Sequence, residues 1–81
     1  MKITLKDFAT DAPVITVALE FVEICDQQVY VCVTNPASFA DEIEQALYGL
    51  NNGAESGVIA DNWSDDYQTP INPYITWSFQ S

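Results

Sequence analysis

Val14-Ile15-Thr16-Val17-Ala18-Leu19-Glu20-Phe21-Val22 and, after a short polar break, Gln28-Val29-Tyr30-Val31-Cys32-Val33-Thr34 decide the fold of this chain. Both runs are rich in β-branched and aromatic residues, and both alternate with the period of a strand. Ile15, Val17, Leu19 and Phe21 share one phase of the first run, and Val29, Val31 and Val33 share one phase of the second. Together they predict a hairpin over 14–34 with its turn near Asp26-Gln27-Gln28. Neither face is cleanly polar. One face is therefore expected under a helix, and the other under a further segment or a second copy of the chain, a homodimer through the hairpin.

Working outward, Asn35-Pro36 ends the second run, and Ser38 with Asp41 three residues on has the spacing of a capping box. Phe39, Ile43, Ala46, Leu47 and Leu50 then recur at helical spacing, an apolar stripe that predicts an amphipathic helix over about 38–50. Asn51-Asn52-Gly53 supplies the stop. Upstream, Lys2 to Lys6 alternates as a short strand, assigned to a sheet edge because lysine discourages further pairing there. Downstream, Gly57-Val58-Ile59-Ala60 reads as a short strand or turn, and Asp61 to Tyr67 as an acidic loop. Pro70 and Pro73 bracket a connector, and Ile75, Trp77 and Phe79 mark one face of a last strand. The expectation is a single α+β domain over 1–81: an antiparallel sheet of three to four strands with one helix packed on one face.

Charge bounds the function. Lys2 and Lys6 are the only cations among 81 residues, against 12 carboxylates and no histidine, for a net charge of −10. Such a surface repels nucleic acid and anionic membranes and attracts cationic protein surfaces. Moderate salt is expected to raise the melting temperature by screening the acids from one another. No long apolar run occurs, so neither a signal peptide nor a membrane span is expected, and the chain is assigned to the cytoplasm. Cys25 and Cys32 are read as free thiols, their predicted places along the hairpin being too far apart for a disulfide. With no His and no CxxC pair, no metal or other cofactor is expected. An EF-hand frame starting at Asp61 fails, because Trp63, Asp66 and Asn72 occupy its third, sixth and twelfth places. Catalysis is equally poorly served: a Ser or Cys nucleophile has no histidine base, and the chain is not expected to be an enzyme.

Two clusters stand out as partner-binding candidates. In the first, Asp61, Asp65 and Asp66 surround Trp63 and Tyr67, pairing acids suited to Arg and Lys with aromatics suited to stacking on guanidinium planes. The competing explanation is that Trp63 and Tyr67 fold back as a lid over a small core. In the second, Asp41, Glu42 and Glu44 lie in the N-terminal half of the helix with no lysine four residues on. Acids there also oppose the positive end of the helix dipole, a purely structural service.

In length, charge and the α+β pattern around Phe39 to Leu50, the chain resembles the anti-CRISPR and antirestriction proteins of phages and mobile elements. That resemblance implies a small inhibitor of a basic, nucleic-acid-handling effector, in several such proteins by imitating nucleic-acid phosphates. It transfers no particular site residue. Immunity proteins that neutralise nuclease toxins share the same composition. The alternative is a structural or assembly module, such as a virion component, pairing through its two-sided apolar hairpin. Adaptation to high salt ranks last, since halophilic surfaces keep some arginine.

Overall fold

Five segments follow the two-residue period, and the computed structural model, which describes residues 1–34 and 36–81, pairs them into one antiparallel sheet. The strands are β1 (Lys2–Asp7), β2 (Pro13–Ile24), β3 (Gln27–Cys32), β4 (Ser56–Trp63) and β5 (Pro70–Gln80), in the spatial order β3-β2-β1-β5-β4. One helix, α1 (Ala40–Asn51), carries the chain from the β3 edge to the β4 edge. The sheet curls enough for α1 to touch β3, β4 and β5. The architecture is the expected α+β one, with five strands among the described residues rather than three or four.

The core lies between α1 and the concave face. Ile3 and Leu5 are 0% exposed, and Val17, Leu19, Ile43, Ala46, Leu50, Ile59, Ile75 and Trp77 close around them. Each fully buried aliphatic side chain is worth about 2 kcal/mol relative to an exposed one. Among the described residues no polar or charged side chain is buried, so the carboxylates are left at the surface. Only Asp7 and Glu42 are even partly covered.

Several boundaries differ from expectation, each for a physical reason. β1 is the central strand, not an edge, because Lys2 and Lys6 extend from its solvent face while Ile3 and Leu5 fill the core. The β2–β3 turn is the two-residue loop Cys25-Asp26, set by the Ile24–Gln27 pair, with φ of 51° and 65°. Positive φ at both positions gives the right-handed twist a tight hairpin needs, although neither residue is glycine. No capping box forms: the N-cap is Phe39 at φ 60°, without a side-chain hydrogen bond, and the helix starts at Ala40. Phe39 packs against the core instead, which holds it in this backbone region. Of the predicted Asn35-Pro36 break, Asn35 lies outside the described residues.

At its other end α1 closes as the stop signal predicts. Gly53 has φ 99°, its N–H donates to the Leu50 carbonyl at 3.1 Å, and the Ala54 N–H donates to Gly49 at 3.0 Å. β4 runs through Asp61-Asn62-Trp63, leaving residues 64–69 as the loop. Pro70 and Pro73 belong to β5 rather than to a connector. Proline is tolerated there because Pro70 opens the strand and Pro73 sits at the irregular register between Ile59 and Ala60.

Candidate partner-binding surface

The helix acids face a groove along β4. Gly49 on α1 and Gly57 on β4 lack side chains where the Trp77 indole lies: a Cβ at Gly49 would stand 2.8 Å from its Cζ2, and one at Gly57 2.5 Å from its Nε1. The indole fills that slot at 5% exposure and forms the floor of a groove of about 830 Å³. Asp41, Glu44 and Tyr48 of α1 line one side, with residues 56–59 and Trp63 on the other. Tyr48 is 75% exposed at the lip. Glu44 also borders a second, smaller hollow on the β3 side, so it stands on the outer crest of the helix.

Helix and strand acids both bear on Tyr74 of β5. Its phenol is held above the ordinary value of 10.0, first by burial and then by the negative charges of Glu42, Asp61 and Asp41. The charges of three acids from two separate sequence clusters thus act on one tyrosine. Neither lysine shares their side of the fold: Lys2 and Lys6 alternate with Ile3 and Leu5 and so project from the opposite face of the sheet, where Lys6 borders a hollow beside residues 56–58.

The rest of the loop cluster stands apart. The Ser64 hydroxyl donates to Asp66, the Gln68 N–H donates to the same carboxylate at 3.1 Å, and the Thr69 N–H donates to the Ser64 hydroxyl at 3.1 Å. The Ser64 hydrogen bond and then the Gln68 N–H hold the Asp66 carboxyl below its ordinary 3.8. Tyr67 has φ 57° and is 82% exposed, so it is no lid over the core. Trp63 is half-buried against the groove. Asp65 and Asp66 are exposed in the loop beyond it.

Thus Asp41, Glu44 and Trp63 share the groove, the charges of Glu42, Asp61 and Asp41 act on Tyr74, and Asp65, Asp66 and Tyr67 are exposed apart from both, in the 64–69 loop. Tyr48, Tyr74 and Trp77 are absent from the candidates the sequence suggests, although Trp77 is read there as one face of the last strand. The available signal was two glycines, one on a helix and one on a strand, each able to admit a large ring.

Other features are simpler. Cys25 is exposed at the hairpin tip; Cys32 is partly buried, which pushes its thiol up, and both are free. Among the described residues no group of three or more Cys, Asp or Glu side chains gathers to hold a metal, and no helix is long and apolar enough to cross a membrane. Comparison of the chain with protein-family models, with curated proteins and with solved structures gives no match.

Proposed function

We propose that this protein binds and inhibits a basic, nucleic-acid-handling protein in the cytoplasm, in the manner of anti-CRISPR and antirestriction proteins. Its carboxylates would occupy the Lys and Arg that otherwise grip nucleic-acid phosphates. One observation carries the proposal: acids of α1 and β4 share one side of the fold with Tyr48, Trp63 and Tyr74, while both lysines project from the opposite face. Opposite charges on a single folded body steer association strongly when they are segregated in this way. An ordinary solvated surface mixes the two signs.

The test is affinity capture from host cells with tagged wild type and a six-site variant, Asp41→Asn, Glu42→Gln, Glu44→Gln, Asp61→Asn, Asp65→Asn and Asp66→Asn. Circular dichroism of both proteins checks that the variant is folded. The wild type should retain nucleic-acid-binding proteins that DNA displaces, and the variant should lose them. Equal retention by both proteins would overturn the proposal.

A second reading, an assembly module, rests on the convex face of the hairpin. Ile24 and Val33 there are 52% and 51% exposed, and Val22, Val29 and Val31 lie beside them, half-covered. Light scattering during size-exclusion chromatography decides it: a dimer or larger assembly favours pairing through this face, and a monomer at high concentration rules it out.

A further inference from the structure

The two edges of the sheet are treated differently. At β3, the Asn51 side-chain oxygen accepts from the Tyr30 N–H at 2.8 Å and its amide donates to the Tyr30 carbonyl at 3.1 Å. One helix side chain thus stands in for a neighbouring strand at Tyr30 and blocks the middle of that edge, between Gln28 and Cys32. Tyr30 is pinned further by ring contacts with Phe21 at 4.6 Å and Phe79 at 5.2 Å.

At β4 the edge is open. The Phe79 N–H donates to the Glu55 carbonyl at 2.8 Å, which turns Glu55, Gly57 and Ile59 toward β5 by strand alternation. Ser56 and Val58 therefore aim their backbone N–H and C=O groups away from the sheet, and no backbone partner meets them among the described residues. The groove described above runs along this stretch, since the consecutive residues 56–59 all line it. The Trp77 indole N–H has no acceptor among the described residues, yet no sealed side-chain nitrogen or oxygen lacks a partner. A largely buried donor is thus open at the groove that Trp77 and Gly57 line.

We propose that this groove seats an extended, cationic segment of the partner protein, added as a sixth strand on the open edge of β4. The inference rests on the partner being cationic, as argued under the proposed function, and adds how it docks. Strand addition supplies main-chain hydrogen bonds for affinity, and pockets for alternate side chains supply specificity. Every second side chain of the incoming segment faces α1, where Asp41 and Glu44 offer carboxylates and Trp63 and Tyr48 offer ring faces. The intervening side chains continue the convex sheet face beside Val58. The recognised pattern is therefore Arg or Lys at alternate positions, with small or β-branched residues between. A second copy of this chain fits poorly, because it would bring another net charge of −10 to the same acidic rim.

The probe is a short labelled peptide alternating Arg and Thr, with two controls: the same peptide N-methylated at the amides facing β4, and one with Ser in place of Arg. Fluorescence anisotropy measures affinity, and hydrogen exchange follows the Ser56 and Val58 amides. The cationic peptide should bind and protect both amides. N-methylation should weaken it by about tenfold or more, through loss of two or more main-chain hydrogen bonds. Val58→Pro, tolerable where the N–H faces outward, should weaken binding comparably; the N-methylated peptide gives the same information with the protein unaltered. Binding unaffected by N-methylation, or without protection at Ser56 and Val58, overturns strand addition and leaves the cationic-partner proposal standing. Equal binding of the Ser peptide overturns the cationic occupant, whatever the amides of Ser56 and Val58 show about strand addition. Absence of binding by any peptide overturns the docking mode alone, and the capture experiment then decides the function.

Discussion

Replacing Gly49 with Ala sets two effects of known size against each other. In an uncrowded helix the change is favourable by about 1 kcal/mol, because glycine is the poorest ordinary helix former. Here the new methyl would lie 2.8 Å from Trp77 Cζ2 and 3.5 Å from Cη2. Carbon atoms pack best at about 3.5–4.0 Å, so helix and ring must separate by roughly 0.7 Å or more. The indole has little room to retreat, since Gly57 crowds the same ring edge and Trp77 is 5% exposed. Overpacking of this kind costs about 1–3 kcal/mol, which outweighs the helix gain and leaves a net loss of about 1 kcal/mol. For a domain of this size that lowers the melting temperature by about 4–8 °C. Urea and thermal unfolding followed by circular dichroism measure it. In a Trp77→Phe background, which removes the offending ring edge, the same substitution should become neutral or stabilising, and the cycle should return a coupling of about 1–3 kcal/mol. A Gly49→Ala protein that melts several degrees higher than wild type would refute the slot.

Three further outcomes follow from the same geometry. Tyr74 should ionise above 10.0 in an absorbance titration compared with Tyr74→Phe, and neutralising Glu42, Asp61 and Asp41 should lower that value without fully restoring it, since burial is the first cause. Because the folded phenol holds its proton longer than the unfolded one, its contribution to stability is complete below 10.0 and is lost as pH rises through the raised value, an alkaline loss that Tyr74→Phe should abolish. Asp66 has the opposite sign: its depressed carboxyl stabilises the fold above 3.8 and loses that contribution as pH falls through its lower folded value, so wild type and Asp66→Ala should converge in stability in strong acid. At the hairpin tip, Asp26→Gly relieves the φ of 65° and should stabilise the domain by about 0.5–1 kcal/mol in denaturant unfolding; no gain would mean that the turn has other geometry.

What could be read in advance divides along physical lines. The phases of Ile15, Val17 and Leu19, and of Ile43, Ala46 and Leu50, identify buried faces because periodicity reports directly which side chains share a surface. Periodicity does not report neighbours. Lys2 and Lys6 look the same on an edge strand as on the solvent face of a central one, and only pairing with both β2 and β5 distinguishes them. Asp61-Asn62-Trp63 carries turn-forming residues, yet pairing with residues 70–73 makes it strand. Pro70 and Pro73 suggest a break, but a strand start and a register irregularity absorb them. At the surface, the acids and Trp63 could be named from composition alone. Their grouping along the Trp77 floor could not, because it depends on Gly49 and Gly57 closing on one ring.

The central claim is that the acids gathered on the α1–β4 side grip cations on another protein. Its most direct test is the affinity of wild type and of the six-site variant for the captured partner, measured as ionic strength rises from about 0.1 M to about 1 M. Over that range the screening length falls from about 10 Å to about 3 Å. A steep loss of wild-type affinity, with the variant weak at low salt and nearly flat throughout, is the predicted result. Parallel, salt-indifferent curves for the two proteins would contradict it.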